Sequence, residues 1–394
     1  LLLLSFLILY FIPYINMYYN LYNQLQMFKK KIPVLKVSLP KKNLLIPKLS
    51  KILYSGNIAE GKVVYEFEKN FKKKFKYNNY NTLAVSSGTA ALHIAFILCG
   101  IKKNDEVISS PITAEPTNVS ILMAGGKVKF ADVNPLTGNL DPTSVEKSIS
   151  KKTKAICVVH YGGYPAEMKK IQKIARKYKL YLIEDCAHAL GAKISNKFIG
   201  SFGDFSTFSF QAVKQVTTID GGILLIKNKK VYDKAKKIRW FGLTKNLPRN
   251  KNRIKNLGFK YNMTNVSALI GNLQLKEIDK LNSKIIKNAK SFEKIISKNK
   301  YLKFSPIIKK GKSVYWLFNL LTNNSQALSK KFNDYGIEAS KVHFPNNLHP
   351  IFNSRKLKLK GCKEFYKNIL HIPCGWWLKK NETQIIKKVL KNFR

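Results

Sequence analysis

The stretch FSFQAVKQVTTIDGG, residues 208–222, sets Lys214 five residues after Ser209 and six before Asp220-Gly221-Gly222. Lysine is abundant in this chain, so the neighbours carry the argument. A serine at the end of a strand offers its hydroxyl to a phosphate. An amine one short loop away can then attack the carbonyl of a phosphate-bearing, electron-withdrawing cofactor and form a Schiff base. Two further segments belong with it by chemistry. VSSGTAALHIA places Ser-Ser-Gly-Thr between a strand and a helix. Free N–H groups there, a hydroxyl and the bare Cα of Gly88 make an anion cradle at Gly88 and Thr89. An ordinary Ser or Thr N-cap is the plain alternative. LYLIEDCAHALGA ends an apolar strand in Glu184-Asp185. Neighbouring strand residues face opposite sides, so one carboxylate points into the crevice at the end of the sheet. There it can keep a ring nitrogen protonated, and His188, three residues on, can reach a polar ring substituent. A helix N-cap followed by a satisfied core histidine is the alternative.

These segments need a scaffold that brings strand ends together, and the chain has one. TLAVSS reads as a strand, followed by a helix through TAALHIAFILCG that stops at Gly100. DEVISS and KVKFADV are strands flanking another helical stretch. TKAICVVH is a strand, AEMKKIQKIARKYK an amphipathic helix, and LYLIED a strand ending in carboxylates. Short apolar strands bounded by turns imply a sheet covered on both faces. The fold class is therefore α/β with a mostly parallel sheet, in which ligands gather at the carboxyl ends of strands. Beyond residue 256 the texture changes. A helix over Thr264–Lys298 leads to the strand SVYWLFNLL, a helix near ALSKKFNDYG and a terminal helix from Glu382. This predicts a smaller α+β domain over 256–394, after a large domain over 27–255. The Lys/Asn-rich stretch 245–256 reads as an exposed loop.

Composition narrows the function classes. The chain has 394 residues, 45% of them hydrophobic, enough for a large core. Its formal net charge of +49 has the sign of a nucleic-acid binder, but only six of its 71 basic residues are arginine. Specific nucleic-acid sites favour arginine for bidentate contacts. The lysines are spread along the whole chain with abundant Asn, Ile, Phe and Tyr, the pattern of an AT-rich coding sequence. Nucleic acid is thus not the expected partner. The five cysteines form no CxxC pair and no cluster with histidine at ligand spacing, so no metal site and no disulfide frame is expected. A reducing, cytoplasmic setting follows. Residues 1–26 open with LLLLSFLILYFIPYI, interrupted by Pro13 and short for a span of about 20 residues. They read as an extension outside the enzyme, with Met27 as a start, rather than as a membrane anchor.

Taken together, the segments resemble the DegT-type sugar-nucleotide aminotransferases, which depend on pyridoxal 5′-phosphate (PLP) and have the aspartate-aminotransferase fold, fold type I. SGNIAEGKVVYEFEKNF is similar to the family's N-terminal substrate-side segment, and SSGTAALHIA to its phosphate-binding turn. VVHYGGYPAEM resembles a core motif, and IEDCAHALGA the segment that supplies the ring-nitrogen aspartate. GSFGDFSTFSFQAVKQVTTIDGG resembles the Schiff-base segment, while GIEASKVHFPNNLHP and IPCGWW resemble small-domain segments at the active-site mouth. Each fragment is modestly specific; their order and spacing are highly specific.

The resemblance implies a role for each position. Lys214 is the lysine that bonds PLP, Asp185 the partner of the pyridine nitrogen, and His188 the neighbour of the phenolic oxygen. Gly88, Thr89 and Ser209 hold the phosphate, and His343 and His349 are candidates for the sugar or its diphosphate. The implied reaction moves an amino group, from glutamate, to a keto group of a nucleotide-linked sugar, in a homodimer with shared active sites. Ala114 stands where many members carry an aromatic that stacks on the ring. Lys260 and Asn262 replace the common Asn and Arg, the former of which often reaches the partner's phosphate site. Two alternatives stay open: a PLP-dependent sugar dehydratase, in which histidine replaces the lysine, and a basic nucleic-acid-binding protein on a vestigial fold. The retained Lys214 speaks against the first.

Overall fold

Residues 31–394 are described by the structure, a computed structural model; the expectation for residues 1–26 falls outside them. Helices α1 (Lys42–Leu53) and α2 (Lys62–Lys74) lead into strand β1 (Asn81–Val85) and helix α3 (Gly88–Leu98). Then come β2 (Glu106–Ser109), α4 (Glu115–Met123), β3 (Lys127–Phe130), α5 (Pro142–Lys147), β4 (Thr153–Val159), α6 (Met168–Lys177) and β5 (Tyr181–Asp185). Short strands β6 (Lys193–Ile194) and β7 (Lys197–Phe198) precede β8 (Phe205–Ser209), β9 (Gly222–Ile226) and α7 (Lys229–Arg239). The long helix α8 (Asn265–Ile296) begins the remainder. Its start is set by Thr264, whose hydroxyl accepts from the Ser267 amide at 3.1 Å.

The main sheet has the order β1-β9-β8-β5-β4-β2-β3, with β9 antiparallel to both neighbours and every other pairing parallel. This is the mostly parallel α/β sheet expected. Alternation along its strands builds two cores. Ala84, Ile108, Ile156, Leu182 and Ile223 face one, with Phe67 and Phe71 of α2 and Met168 and Ile171 of α6. Leu83, Val107, Ala155, Ile183 and Leu224 face the other, under α3 and α7. Covering both faces leaves the strand ends as the place where polar side chains converge.

A second sheet, β10 (Lys303–Phe304), β12 (Phe318–Leu321) and β13 (Ile369–Ile372), is antiparallel in the order β10-β12-β13. Strand β11 (Gly311–Lys312) joins β6 and β7 instead. Helices α9 (Ser325–Asp334), α10 (Lys360–Asn368) and α11 (Lys380–Asn392) complete the chain. Helix α8 belongs to both halves: Ala268, Leu275 and Ile278 pack into the first core, Ile285, Ala289 and Phe292 against the second sheet. Residues 245–256 form a mostly exposed loop with one 3-10 turn at Arg249–Lys251.

Two elements differ from expectation. The strand over SVYWLFNLL shortens to Phe318–Leu321. Residues 313–317 instead run as a buried loop across Gly162-Gly163, with Ser313 Oγ donating to the Gly163 carbonyl at 2.9 Å and the Leu317 amide to that of Gly162 at 3.1 Å. Tyr315 takes a left-handed φ of 48° to make the crossing. The terminal helix starts at Lys380 because Glu382 caps it from the third position, accepting from the Lys379 amide at 2.7 Å.

Candidate active site

Four strand ends of the main sheet open onto one cavity of ≈ 450 Å³. Ser87, Gly88 and Thr89 follow β1, Thr113 to Thr117 follow β2, Asp185 and His188 come from β5, and Ser209 and Lys214 from β8. Gly88, Thr89, Asp185, His188, Ser209 and Lys214 all line it. The two tentative substrate histidines do not. His343 lies behind His188, its ring parallel at a centroid distance of 5.3 Å. His349 sits outside, its Nε2 3.7 Å from Glu115 Oε1.

The cradle is narrow by construction. Ser87 caps α3, its hydroxyl accepting from the Ala90 amide at 3.0 Å, which leaves the first amides of the helix facing the cavity. A Cβ on Gly88 would meet Ser209 Cβ at 2.8 Å, and one on Gly222 would meet the Ser87 carbonyl oxygen at 2.5 Å. Strand β9 starts at Gly222, between Val85 of β1 and Ser209 of β8. Both glycines are therefore required for the helix start and the two strands to meet. Gly222 does not line the cavity itself but backs the Ser87 turn that does.

The adjacent carboxylates at the end of β5 diverge. Asp185 faces the cavity; its Oδ2 accepts from Thr117 Oγ1 at 2.7 Å and its Oδ1 from the Ala187 amide at 3.0 Å. Since Thr117 spends its proton on Asp185, the 2.9 Å contact between Thr113 and Thr117 has Thr113 as donor. Glu184 points away and accepts from the amides of Gly200, Phe202 and Gly203, at 3.0, 2.6 and 2.6 Å. His160 faces it at 3.3 Å through Nε2, while His160 Nδ1 accepts from the Ala166 amide. With Cys186, these two form the one group with metal-ligand proximity among the described residues. The hydrogen bonds already occupy the imidazole nitrogens and both carboxylate oxygens, so the group is a polar core that anchors the strand end.

Lys214 Nζ lies 4.0 Å from the centroid of the Trp316 ring. Burial lowers its pKa from the usual lysine value to about 8, with the nearby Asp185 carboxylate opposing the fall. His188 stacks on the other rings, 3.9 Å from Trp316 and nearly parallel. Burial, reinforced by the charge of Lys214, holds His188 well below the ordinary histidine range and His343 down at about 3, so both are neutral at neutral pH. His188 Nδ1 is buried without a hydrogen-bond partner. Ala114 offers only a methyl to the cavity, and Leu92 and Pro116 add apolar surface beside it. Lys260 is exposed, its Nζ 4.0 Å from the Trp240 ring, and Asn262 is buried in a backbone bridge with Val85.

A helix-start turn, a carboxylate and an amine of lowered basicity around one cavity, on this sheet, accord with the fold class of the PLP-dependent transferases, fold type I. The solved sugar aminotransferase CalS13 of Micromonospora echinospora superposes with a TM-score of 0.87 over 92% of this chain and 100% of its own, at 27% identity. The chain belongs to the DegT/DnrJ/EryC1/StrS aminotransferase family, whose model matches residues 41–391. The GDP-perosamine synthase of Escherichia coli O157:H7 is 33% identical over 306 residues, 76% of this chain and 81% of that protein. The UDP-4-amino-4,6-dideoxy-N-acetyl-beta-L-altrosamine transaminase of Campylobacter jejuni is 31% identical over 356 residues, 88% and 93% of the two chains. Among the described residues, no helix is long and apolar enough to cross a membrane.

Proposed function

We propose that the protein transfers an amino group, from glutamate, to a keto group of a nucleotide-linked sugar, using PLP bound in the cavity at the strand ends. The observation that carries this reading is the convergence of Gly88, Thr89, Ser209, Asp185 and Lys214 on that cavity. Its residues fit the cofactor. The cradle has no room for a Cβ at Gly88, and His188 Nδ1, buried and unpartnered, is free to bond a ring substituent. When bound, PLP supplies an electrophilic carbon and a ring that accepts electrons. Asp185, oriented by Thr117 and the Ala187 amide, holds a proton on the ring nitrogen. Lys214, with a pKa near 8, is neutral often enough at neutral pH to act as nucleophile and then to carry a proton as general base and acid.

The names of the two relatives support an amino sugar carried on a nucleotide as the product class. We assign residues 27–255 to cofactor binding and 256–394 to the mouth, with α8 shared between them. A homodimer accords with Lys260, exposed on Trp240 and available to a second copy. The retained lysine disfavours the dehydratase, and family membership the nucleic-acid alternative. Incubation with nitrogen-labelled glutamate and a panel of keto-sugar nucleotides tests the proposal. Labelled nitrogen in a sugar product supports it; a deoxygenated sugar without nitrogen contradicts it.

A further inference from the structure

We propose that Trp316 is the positioning residue for Lys214, gripping the lysine's loop with its indole N–H and carrying the lysine's amine on its ring face. Three contacts meet on this one side chain. Trp316 Nε1 donates to the Val213 carbonyl at 3.0 Å, fixing the peptide immediately before the lysine. Its ring lies 4.0 Å below Lys214 Nζ, within the range of a cation–π contact. His188 covers the same indole at 3.9 Å and 15°, so the ring cannot turn without displacing a cavity residue. The indole itself is held by the buried loop 313–317, which is tied to Gly162 and Gly163 and turned by the left-handed Tyr315. A Cβ on Gly163 would sit 3.0 Å from the Trp316 amide, so the loop is pressed against that glycine. The second half of the chain thereby sets the position of the amine supplied by the first.

The inference rests on Lys214 being the lysine that PLP engages, and its test is built so that the two can fail separately. The charged and titratable groups around the amine are Asp185 from β5, Asp220 at the cavity's β9 side, and the neutral histidines 188 and 343, with His371 behind the two histidines. The full chain, freed of cofactor, is compared as wild type, Trp316→Phe and Trp316→Leu. Lys214 is acylated with acetic anhydride across a pH series and followed by mass mapping, which reads its pKa without any PLP. The rate at which added PLP becomes borohydride-trappable is measured in parallel, with melting temperatures. Phenylalanine keeps the face and loses the N–H. Its midpoint therefore stays near the wild-type value of about 8, while PLP capture slows roughly fivefold, the worth of one hydrogen bond. Leucine keeps the burial and loses the face, so the midpoint falls by about half a unit. An unmoved midpoint in Trp316→Leu, unchanged capture in Trp316→Phe, or losses that track melting temperature in both variants overturns the proposal. PLP trapped on another lysine in the wild type overturns the reading of Lys214, while the acylation midpoints still judge Trp316.

Discussion

Gly88→Ala tests whether the turn after β1 is the phosphate end of the site. The added Cβ would stand 2.8 Å from Ser209 Cβ and 3.2 Å from Ser209 Cα and Oγ. Carbon–carbon contacts are comfortable at roughly 3.5–4.0 Å, so the backbones must separate by something near 1 Å. Neither side yields easily. Ser209 is paired with Gly222 in the sheet, and the Ser87 turn is backed by Gly222, where even a Cβ would strike the Ser87 carbonyl oxygen at 2.5 Å. Overpacking of this kind costs about 1–3 kcal/mol. Because the displaced groups are the anion donors, most of that cost falls on phosphate binding, and PLP affinity drops by roughly tenfold to a hundredfold. The assay is an absorbance titration of the variant with PLP and, separately, with pyridoxal, which lacks the phosphate. The ratio of the two affinities should collapse toward one. Unchanged PLP affinity, or equal losses for both ligands, would refute the assignment of Gly88 to the phosphate.

Other perturbations follow from the same geometry. Asp185→Asn keeps the shape but removes the charge that favours a protonated ring nitrogen; PLP should still bind, while turnover falls by on the order of a hundredfold, and unchanged turnover would place another group at that nitrogen. Arg239→Ala removes the buried guanidinium that lies 2.5 and 3.4 Å from the Glu60 and Glu68 carboxylates, leaving Glu60 with Lys245 at 3.4 Å and Glu68 with the Ala84 amide; urea unfolding should show a loss of about 3 kcal/mol, against less than about 1 kcal/mol if the pairs behave as surface bridges. His371 is buried and pulled down to about 4 by that burial. Its unfolded form binds a proton first, so the stability it confers is full above the ordinary histidine value and is lost as pH falls toward 4. The expected slope is on the order of 1.4 kcal/mol per pH unit, read from denaturation midpoints and reduced in a His371→Gln variant.

Much of the site was legible because its parts sit at strand ends in fixed local contexts. Ser209 closes β8 and Lys214 follows it within one loop, so their spacing placed both on the lining of one cavity. The Glu184-Asp185 pair showed that one carboxylate would face the crevice, but alternation alone could not say which; the amides of residues 200–203, which claim Glu184, decided it. Trp316 was not legible. Its segment has the apolar run of a strand, and only the tertiary contact with Gly162-Gly163 turns residues 313–317 into a loop that reaches Lys214. His343 illustrates the opposite limit: position in the mouth segment made it a candidate for the sugar or its diphosphate, and its ring lies parallel to His188 away from the cavity lining. The role of Gly222 lies in a register between two strands distant in sequence, which no local motif contains.

The most direct test of the account is the site of the covalent bond to PLP. The cofactor-loaded wild-type chain is reduced with borohydride, digested and mapped by mass, with Lys214→Ala run in parallel. The account predicts a pyridoxyl label on the peptide carrying Lys214, and no label and no repeated turnover with glutamate in the variant. A label on a peptide without Lys214, or bound PLP that borohydride does not trap, would contradict it.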